Sequence, residues 1–231
     1  MRVMIVGGGL AGTSLANSLH RESHAVTLVD RDPAIAARGF AEHGLVVIVG
    51  DGTEPRVLVD AGVGRADVVL AMLRRDADNL AVAAIAREQG AARVLVRQRD
   101  PRYRTIYQAA GIDQVFSEID TMVGALSIAI THPRITHSMV LGRGASIAFE
   151  FVVPESARVA GKTVKEIGTS SGFPRGAVIA GIEEADGEVV APRGDSIVTG
   201  GRAVLLVARR EDVESALAMM TEIARVSAGT E

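Results

Sequence analysis

Met1-Arg2-Val3-Met4-Ile5-Val6-Gly7-Gly8-Gly9-Leu10-Ala11-Gly12-Thr13-Ser14-Leu15-Ala16 opens the chain, and these sixteen residues decide the fold. A short apolar run, Val3 to Val6, gives way at Gly7 to Gly-x-Gly-x-x-Gly, after which apolar residues recur at Ala11, Leu15 and Leu19. That succession predicts a strand, a glycine turn and a helix. A diphosphate rests on the free N–H groups of a helix N-terminus only where the backbone comes close. On that reading Gly7 makes the tight turn, Gly9 omits a Cβ that would strike a phosphate, and Gly12 lets the helix pack on the strand. The glycines alone read equally well as a plain turn.

Asp30 closes the next apolar run, Val26-Thr27-Leu28-Val29, eighteen positions after Gly12. A carboxylate at the tip of a second strand is placed to accept hydrogen bonds from both ribose hydroxyls of an adenosine and to repel a 2′-phosphate. The pattern therefore predicts NAD, ADP or ATP over NADP. Asp30 and Arg31 also open the turn Asp30-Arg31-Asp32-Pro33, where Asp32 suits the cap of a helix beginning at Pro33.

Through about residue 118 the chain repeats units of about 20 to 25 residues, each a β-branched run followed by a helical pattern. Further runs stand at Leu45–Val49, Asp67–Ala71, Arg93–Val96 and Gln114–Phe116. Continuous apolar runs suit strands covered on both faces, so the fold class is α/β, a Rossmann-like doubly wound parallel sheet. Its ligand crevice lies at the carboxyl ends of the strands. Those ends deliver Gly7, Gly9, Leu10, Ala11 and Gly12, then Asp30 and Arg31, then Asp51, Gly52 and Thr53, then Ala71 and Met72, then Arg97, and last Ser117 and Glu118. Asp51 and Thr53 are candidates for the adenine edge, although Thr53 before Glu54 and Pro55 also reads as a helix cap.

Bulk composition narrows the field. The chain has 231 residues, 48% hydrophobic and 23% charged, enough for one large domain or two small ones. A net charge of −3 gives no electrostatic case for a nucleic-acid partner. The lack of cysteine excludes disulfides and thiolate chemistry. No apolar run reaches the roughly 18 residues a bilayer demands, and the apolar stretch after Arg2 is too short for a secretion signal, so a soluble, cytoplasmic chain is expected. The only lysines are Lys162 and Lys165, which leaves the first half without a phosphate-loop lysine, a kinase lysine or a Tyr-x-x-x-Lys pair.

After the sixth run, Ile119, Met122, Val123, Leu126 and Ile130 give one apolar face to a helix ending at His132-Pro133, a candidate subunit contact. From Gly144 the texture changes to short strands, with Ile147, Phe149, Phe151 and Val153 alternating with smaller or polar residues. More strands are expected at Ala177–Ile182, Glu188–Val190 and Ala203–Val207, with a hairpin at Ala185-Asp186-Gly187 and a final helix from about Glu211 to Ala224. The tail after Ser227 is expected to fray.

With both halves laid out, the chain resembles the regulatory subunits of Trk/Ktr-type potassium uptake systems, which join a nucleotide-binding RCK (TrkA-N) domain to a TrkA-C domain. The resemblance spans Met1 to about Met220. It is carried by Val6-Gly7-Gly8-Gly9-Leu10-Ala11-Gly12, Val29-Asp30, Gly50-Asp51-Gly52-Thr53, Ala61-Gly62-Val63, Ala66-Asp67, Asn79, Val96-Arg97, Ala110-Gly111-Ile112-Asp113 and Glu118. In the second half it is carried by Val153-Pro154, Gly161-Lys162-Thr163-Val164 and Ala191-Pro192-Arg193-Gly194-Asp195.

The resemblance implies a TrkA-N domain over 1–118, a linker helix and connection over 119–143 and a small α+β TrkA-C domain over 144–225. It implies no catalysis, a bound NAD(H), ADP or ATP, a homo-oligomer that is a dimer or larger ring, and a membrane-embedded potassium transporter or channel as partner at the inner face of the membrane. Gly7, Gly9 and Gly12 carry over as the diphosphate site, Asp30 as the ribose ligand and Asp51 as an adenine neighbour. Arg97 approaches the phosphates, and Glu118 matches a position that holds a divalent cation between subunits in Ktr-type members. ATP-responsive members place an arginine between the second and third glycines, where this chain has Leu10 and Ala11, which favours NAD(H) or ADP. Two rivals stay open: an NAD-dependent oxidoreductase, which needs a proton donor such as His, Lys or Tyr, and an RCK-type sensor for another cation transporter. The histidines are 20 and 24 near a helix end, 43 in a loop, and 132 and 137 in the linker without an orienting acid nearby in sequence.

Overall fold

A computed structural model describes residues 1–141 and 144–224. Gly142, Arg143 and everything from Arg225 on, including the tail expected to fray, lie outside the described residues. The chain divides into two compact units, Met1–Ile119 and the residues from Asp120 onward.

The first unit alternates strand and helix: β1 (Arg2–Val6), α1 (Leu10–Arg21), β2 (Ala25–Asp30), α2 (Pro33–His43), β3 (Val46–Val49), α3 (Pro55–Asp60), β4 (Val68–Ala71), α4 (Asp76–Glu88), β5 (Val94–Gln98), α5 (Arg104–Ala109) and β6 (Gln114–Ser117). All neighbours pair in parallel, in the order β3-β2-β1-β4-β5-β6. Successive strand residues point to opposite faces, and β1 makes the double winding explicit. Val3 and Ile5 join Ala16 of α1 and Leu28 of β2 in one apolar cluster, while Met4 and Val6 join Leu58 of α3 and Val82 and Ala86 of α4 in another. A strand that must be apolar on both faces cannot alternate, which is why the run reads as continuous.

Asp32 caps α2 as expected, accepting from Ala34 N at 2.9 Å with Pro33 at the first helical position. His43 is the last residue of α2 rather than a loop residue, because Gly44 supplies the left-handed turn that ends the helix. Thr53 does not cap α3. Glu54 takes that position, and Thr53 is held back by Asp51.

Helix α6 (Glu118–Thr131) follows β6 and continues into the second unit. That unit holds a five-stranded antiparallel sheet of β7 (Ile135–Leu141), β8 (Ser146–Val152), β9 (Ala177–Glu183), β10 (Val189–Val190) and β11 (Ala203–Arg209), ordered β10-β9-β11-β8-β7. Ile147, Phe149 and Phe151 of β8 meet Val204, Leu206 and Ala208 of β11 in its core, with Ile128 of α6. The hairpin turns at Gly187, and Asp186 accepts from Glu188 N at 3.0 Å.

Three features depart from expectation. Strand β7 occupies what reads as a connection, because a register shift between Ile135 and His137 breaks its alternation. Helix α7 (Val164–Gly168) is a single turn fixed by a reciprocal cap between Thr163 and Glu166. Helix α8 (Val213–Thr221) is shorter at both ends, entered through a 3-10 turn at Arg210–Asp212 and left by an extended segment in which Ile223 pairs with Ala157. Among the described residues no helix is long and apolar enough to cross a membrane.

Candidate functional site

The carboxyl ends of β1, β2 and β4 are stitched together by backbone. Gly7 N donates to Val29 O at 2.8 Å and Met72 N donates to Val6 O at 2.7 Å. Gly7 has φ of +114°, and a Cβ there would lie 2.8 Å from the Met72 carbonyl, so only glycine makes this turn. At Gly12 the obstacle is closer, since an added Cβ would lie 1.9 Å from Gly7 O. Helix α1 therefore starts hard against the turn that precedes it.

Gly9 is different. A Cβ on it would meet nothing within 4 Å, and no side chain caps the helix that begins at Leu10. The first N–H groups of α1 thus face open space at the positive end of the helix dipole, the local arrangement an anionic oxygen would occupy. Leu10 is 94% exposed beside them.

Asp30 sits next to this helix start. Its Oδ2 accepts from Gly8 N at 2.6 Å and its Oδ1 from Asp32 N at 2.9 Å. Two backbone donors fix the carboxylate in place, and each oxygen retains a second lone pair for a further donor. Asp51, at the end of β3, accepts from both Thr53 N (2.9 Å) and Thr53 Oγ1 (2.7 Å). The Thr53 N–H, then its hydroxyl, hold the Asp51 carboxyl below the usual aspartate value, and the Arg31 guanidinium adds a smaller effect of the same sign. Gly52 closes this loop onto the sheet, because a Cβ there would strike Val6 Cγ1. Ala71 is fully buried and Met72 half-buried, flanking Gly7 from β4.

Beyond β4 the loop is held by two α4 residues that sequence reasoning did not place in the site. Asn79, fully buried, accepts from Leu73 N at 2.7 Å and donates to Leu73 O at 3.2 Å and to Arg97 O at 3.0 Å. Asp76 accepts from Asp100 N at 2.9 Å, Arg99 N at 3.1 Å and the Tyr107 hydroxyl at 2.9 Å. Asn79 carries part of the family resemblance without a role, and the spacing of three in the first turn of α4, between two strand ends, is the signal that places both. Arg97 donates through Nη2 to Leu73 O at 3.1 Å, and its Nε lies 3.7 Å from Glu118 Oε2, which also faces Arg99 Nε at 3.4 Å.

Of the groups a hydride-transfer enzyme would use, two histidines of the first unit stand away from the glycine turn. His24 lies 3.4 Å from the Met1 amino group, at the end of the sheet opposite the glycine turn, and His20 is in the last turn of α1. Burial, and then its bond to Asp76, push the Tyr107 hydroxyl well above its usual value, so it holds its proton. His137, expected without an acid, stands on β7 of the second unit with Nδ1 3.4 Å from Glu150 Oε1.

Comparison with known proteins follows the same division. A family model of the TrkA-N domain matches residues 3–118, and one of the TrkA-C domain matches residues 148–221. The chain belongs to the TrkA-N/TrkA-C family. It is 29% identical over 221 residues to a Trk system potassium uptake protein TrkA homolog of Methanothermobacter thermautotrophicus, covering 96% of this chain and 100% of that one. It is 32% identical over 218 residues to a TrkA homolog of Archaeoglobus fulgidus, covering 93% of this chain and 48% of that one. The chain thus spans the whole of one relative and about half of the other. Among solved structures, the GsuK channel superposes with a TM-score of 0.68 at 20% identity, covering 97% of this chain and 40% of that chain. A GsuK channel bound to NAD gives 0.66 at the same identity. At that identity the likeness concerns the fold.

Proposed function

We propose that this TrkA-family chain is a nucleotide-sensing regulatory subunit for membrane potassium uptake, without catalytic activity of its own. The observation that carries the proposal is the uncapped, open start of α1 at Gly9 beside a carboxylate fixed by two backbone donors. The helix start would take a diphosphate at the N–H groups following Gly9, and Asp30 would take the ribose hydroxyls. Asp51, Gly52, Thr53 and Arg31 would border the adenosine, and Ala71, Met72 and Arg97 the far side. The relatives named as potassium uptake proteins and the NAD-bound state of a structure with the same fold support this reading.

NAD(H) or ADP is favoured over ATP, because Leu10 and Ala11 bring no cation to a terminal phosphate. A Rossmann unit over residues 1–118 would sense the nucleotide, and the 144–225 module would complete the subunit. On α6 the expected apolar face is exposed, with Met122, Val123 and Leu126 each 54–55% and Ile130 78% accessible. We assign that face to a second copy of the chain, and the assembled subunits to a membrane-embedded potassium transporter at its cytoplasmic side. A ligand moves such an assembly only by its preference for one conformation, and a tenfold preference is worth about 1.4 kcal/mol per site.

Calorimetric titration with NADH, NAD, ADP and ATP tests the reading, beside an Asp30→Ala variant checked for folding. Micromolar binding by the parent, at least tenfold weaker in the variant, with no oxidation of NADH by a panel of carbonyl compounds, is expected. Failure of all four nucleotides to bind the folded parent refutes it.

A further inference from the structure

Resemblance to Ktr-type subunits implies a divalent cation at Glu118, and the surroundings of that residue do not fit one. Two guanidiniums, of Arg97 and Arg99, lie within 4 Å of its Oε2, and a third positive charge there would be repelled by both. Hard divalent ions draw several oxygens from carboxylates, carbonyls and water.

Arg97 gives the cluster a different purpose. Its Nε is buried without a hydrogen-bond partner, and at 3.7 Å Glu118 is beyond bonding distance. One nitrogen of this guanidinium is thus engaged by Leu73 O while another is buried and unpaired. Leu73 in turn lies against the glycine turn, its N 3.1 Å from where a Cβ on Gly7 would stand. The glycine turn, Leu73, Arg97 and Glu118 are therefore successive neighbours, all inside the first unit. Glu118 is the first residue of α6, whose later turns carry the exposed apolar face.

We propose that Glu118 is a salt-bridge strut rather than a metal ligand: Arg97 and Arg99 hold the first turn of α6 to the end of β5, and a nucleotide phosphate competing for Arg97 loosens that hold. A phosphate can compete, since guanidinium binds it through paired, charge-assisted hydrogen bonds, whereas Glu118 stands beyond bonding distance of Arg97 Nε. The competition part of this proposal rests on the nucleotide-binding reading above, whereas the strut itself does not.

Amide hydrogen exchange in the full chain tests both parts. The reporters are the amides of residues 122–125, whose helical acceptors are the carbonyls of the first turn. In the parent, saturating ADP or NADH is expected to raise their exchange at least threefold, with or without magnesium. In Glu118→Gln they are expected to exchange at least threefold faster without ligand and to respond no further, while nucleotide affinity stays equal or rises. Unchanged exchange in ligand-free Glu118→Gln overturns the strut. A magnesium-dependent loss of nucleotide affinity in that variant, or protection of these amides by magnesium alone in the parent, overturns it in favour of a metal ligand. If no nucleotide binds the parent, the proposed function and the competition fail, and the ligand-free comparison still decides the strut.

Discussion

Replacing Asn79 by leucine isolates what the buried amide does at the strand ends. Leucine keeps the branching and heavy-atom count of asparagine but is bulkier, so no cavity opens and any overpacking adds to the loss. The amide is fully buried, and in the parent it satisfies Leu73 N and adds a donor to the carbonyls of Leu73 and Arg97. In the variant Leu73 O keeps its bond from Arg97 Nη2 at 3.1 Å, but Leu73 N faces a hydrocarbon. An orphaned buried N–H costs about 1–3 kcal/mol, and the lost bonds to carbonyls add about 1 kcal/mol more. With a urea slope near 2 kcal/mol/M for a domain of this size, the midpoint should fall by roughly 1–2 M. The two units need not unfold together, but the chain has no tryptophan and its only tyrosines, Tyr103 and Tyr107, both lie in the first unit. Tyrosine fluorescence during urea unfolding therefore reads the right half of the molecule. A destabilisation below about 0.5 kcal/mol would refute the reasoning, because it would mean that the loop reaches water without the amide.

The glycine turn separates binding from folding. Gly12→Ala, with its Cβ 1.9 Å from Gly7 O, should cost about 3 kcal/mol or more in the same tyrosine-monitored unfolding. Gly9→Ala, whose Cβ meets nothing within 4 Å, should leave stability unchanged and weaken nucleotide binding at least tenfold in calorimetry. Asp113 accepts from Val94 N at 2.8 Å and Arg87 Nη2 at 2.9 Å, and the Val94 N–H is the main cause that holds its carboxyl below the usual 3.8. A depressed carboxylate stabilises the fold above its ordinary value and loses that contribution as pH falls through the folded value, so Asp113→Asn should be less stable than the parent at about pH 7, and the difference should shrink as pH falls below the usual 3.8. Leu126→Glu, on the exposed face of α6, should convert an oligomer to monomer by light scattering and leave an unfolding midpoint that no longer depends on protein concentration.

The first unit was legible because its signals reinforce one another. Apolar runs buried on both faces cannot hide, and Gly7, Gly12 and Asp32 hold positions that few other residues could fill. The order of strand ends then brings Asp30 to Gly8, as chain order alone suggests, while Asp51 meets Thr53 within a single turn. Polar contacts between elements distant in sequence were not legible. Asp76 looks like an ordinary residue at the start of a helix, and Asn79 like a family residue without a role, until β4 and β5 lie beside them, and Glu150 meets His137 only through pairing between β7 and β8. In the second unit the missed α7 did carry a sign, since Thr163-Val-Lys-Glu166 is a capping box, but one turn of helix gives no periodicity to support it. Strand β7 was obscured by its own register shift. Thr53 does not serve as the helix cap it resembles, because Asp51 competes for its hydroxyl, a local choice that composition does not reveal.

The place of β1 in its sheet also governs how the chain can be made. Val3 pairs with Val26 on one side and with Val68 on the other, so the strand synthesised first waits longest for its second neighbour. While the chain leaves the ribosome, β1, β2 and β3 can gather locally, but the inner edge of β1 stays open until the residues of β4 emerge. That edge presents the unpaired N–H and C=O groups of the apolar run Val3–Val6, and closing it requires bringing together segments separated by three helices. Slowing translation between β3 and β4 would prolong the exposure of an unpaired hydrophobic strand, whereas a delay after β6 would leave the six-stranded sheet already complete.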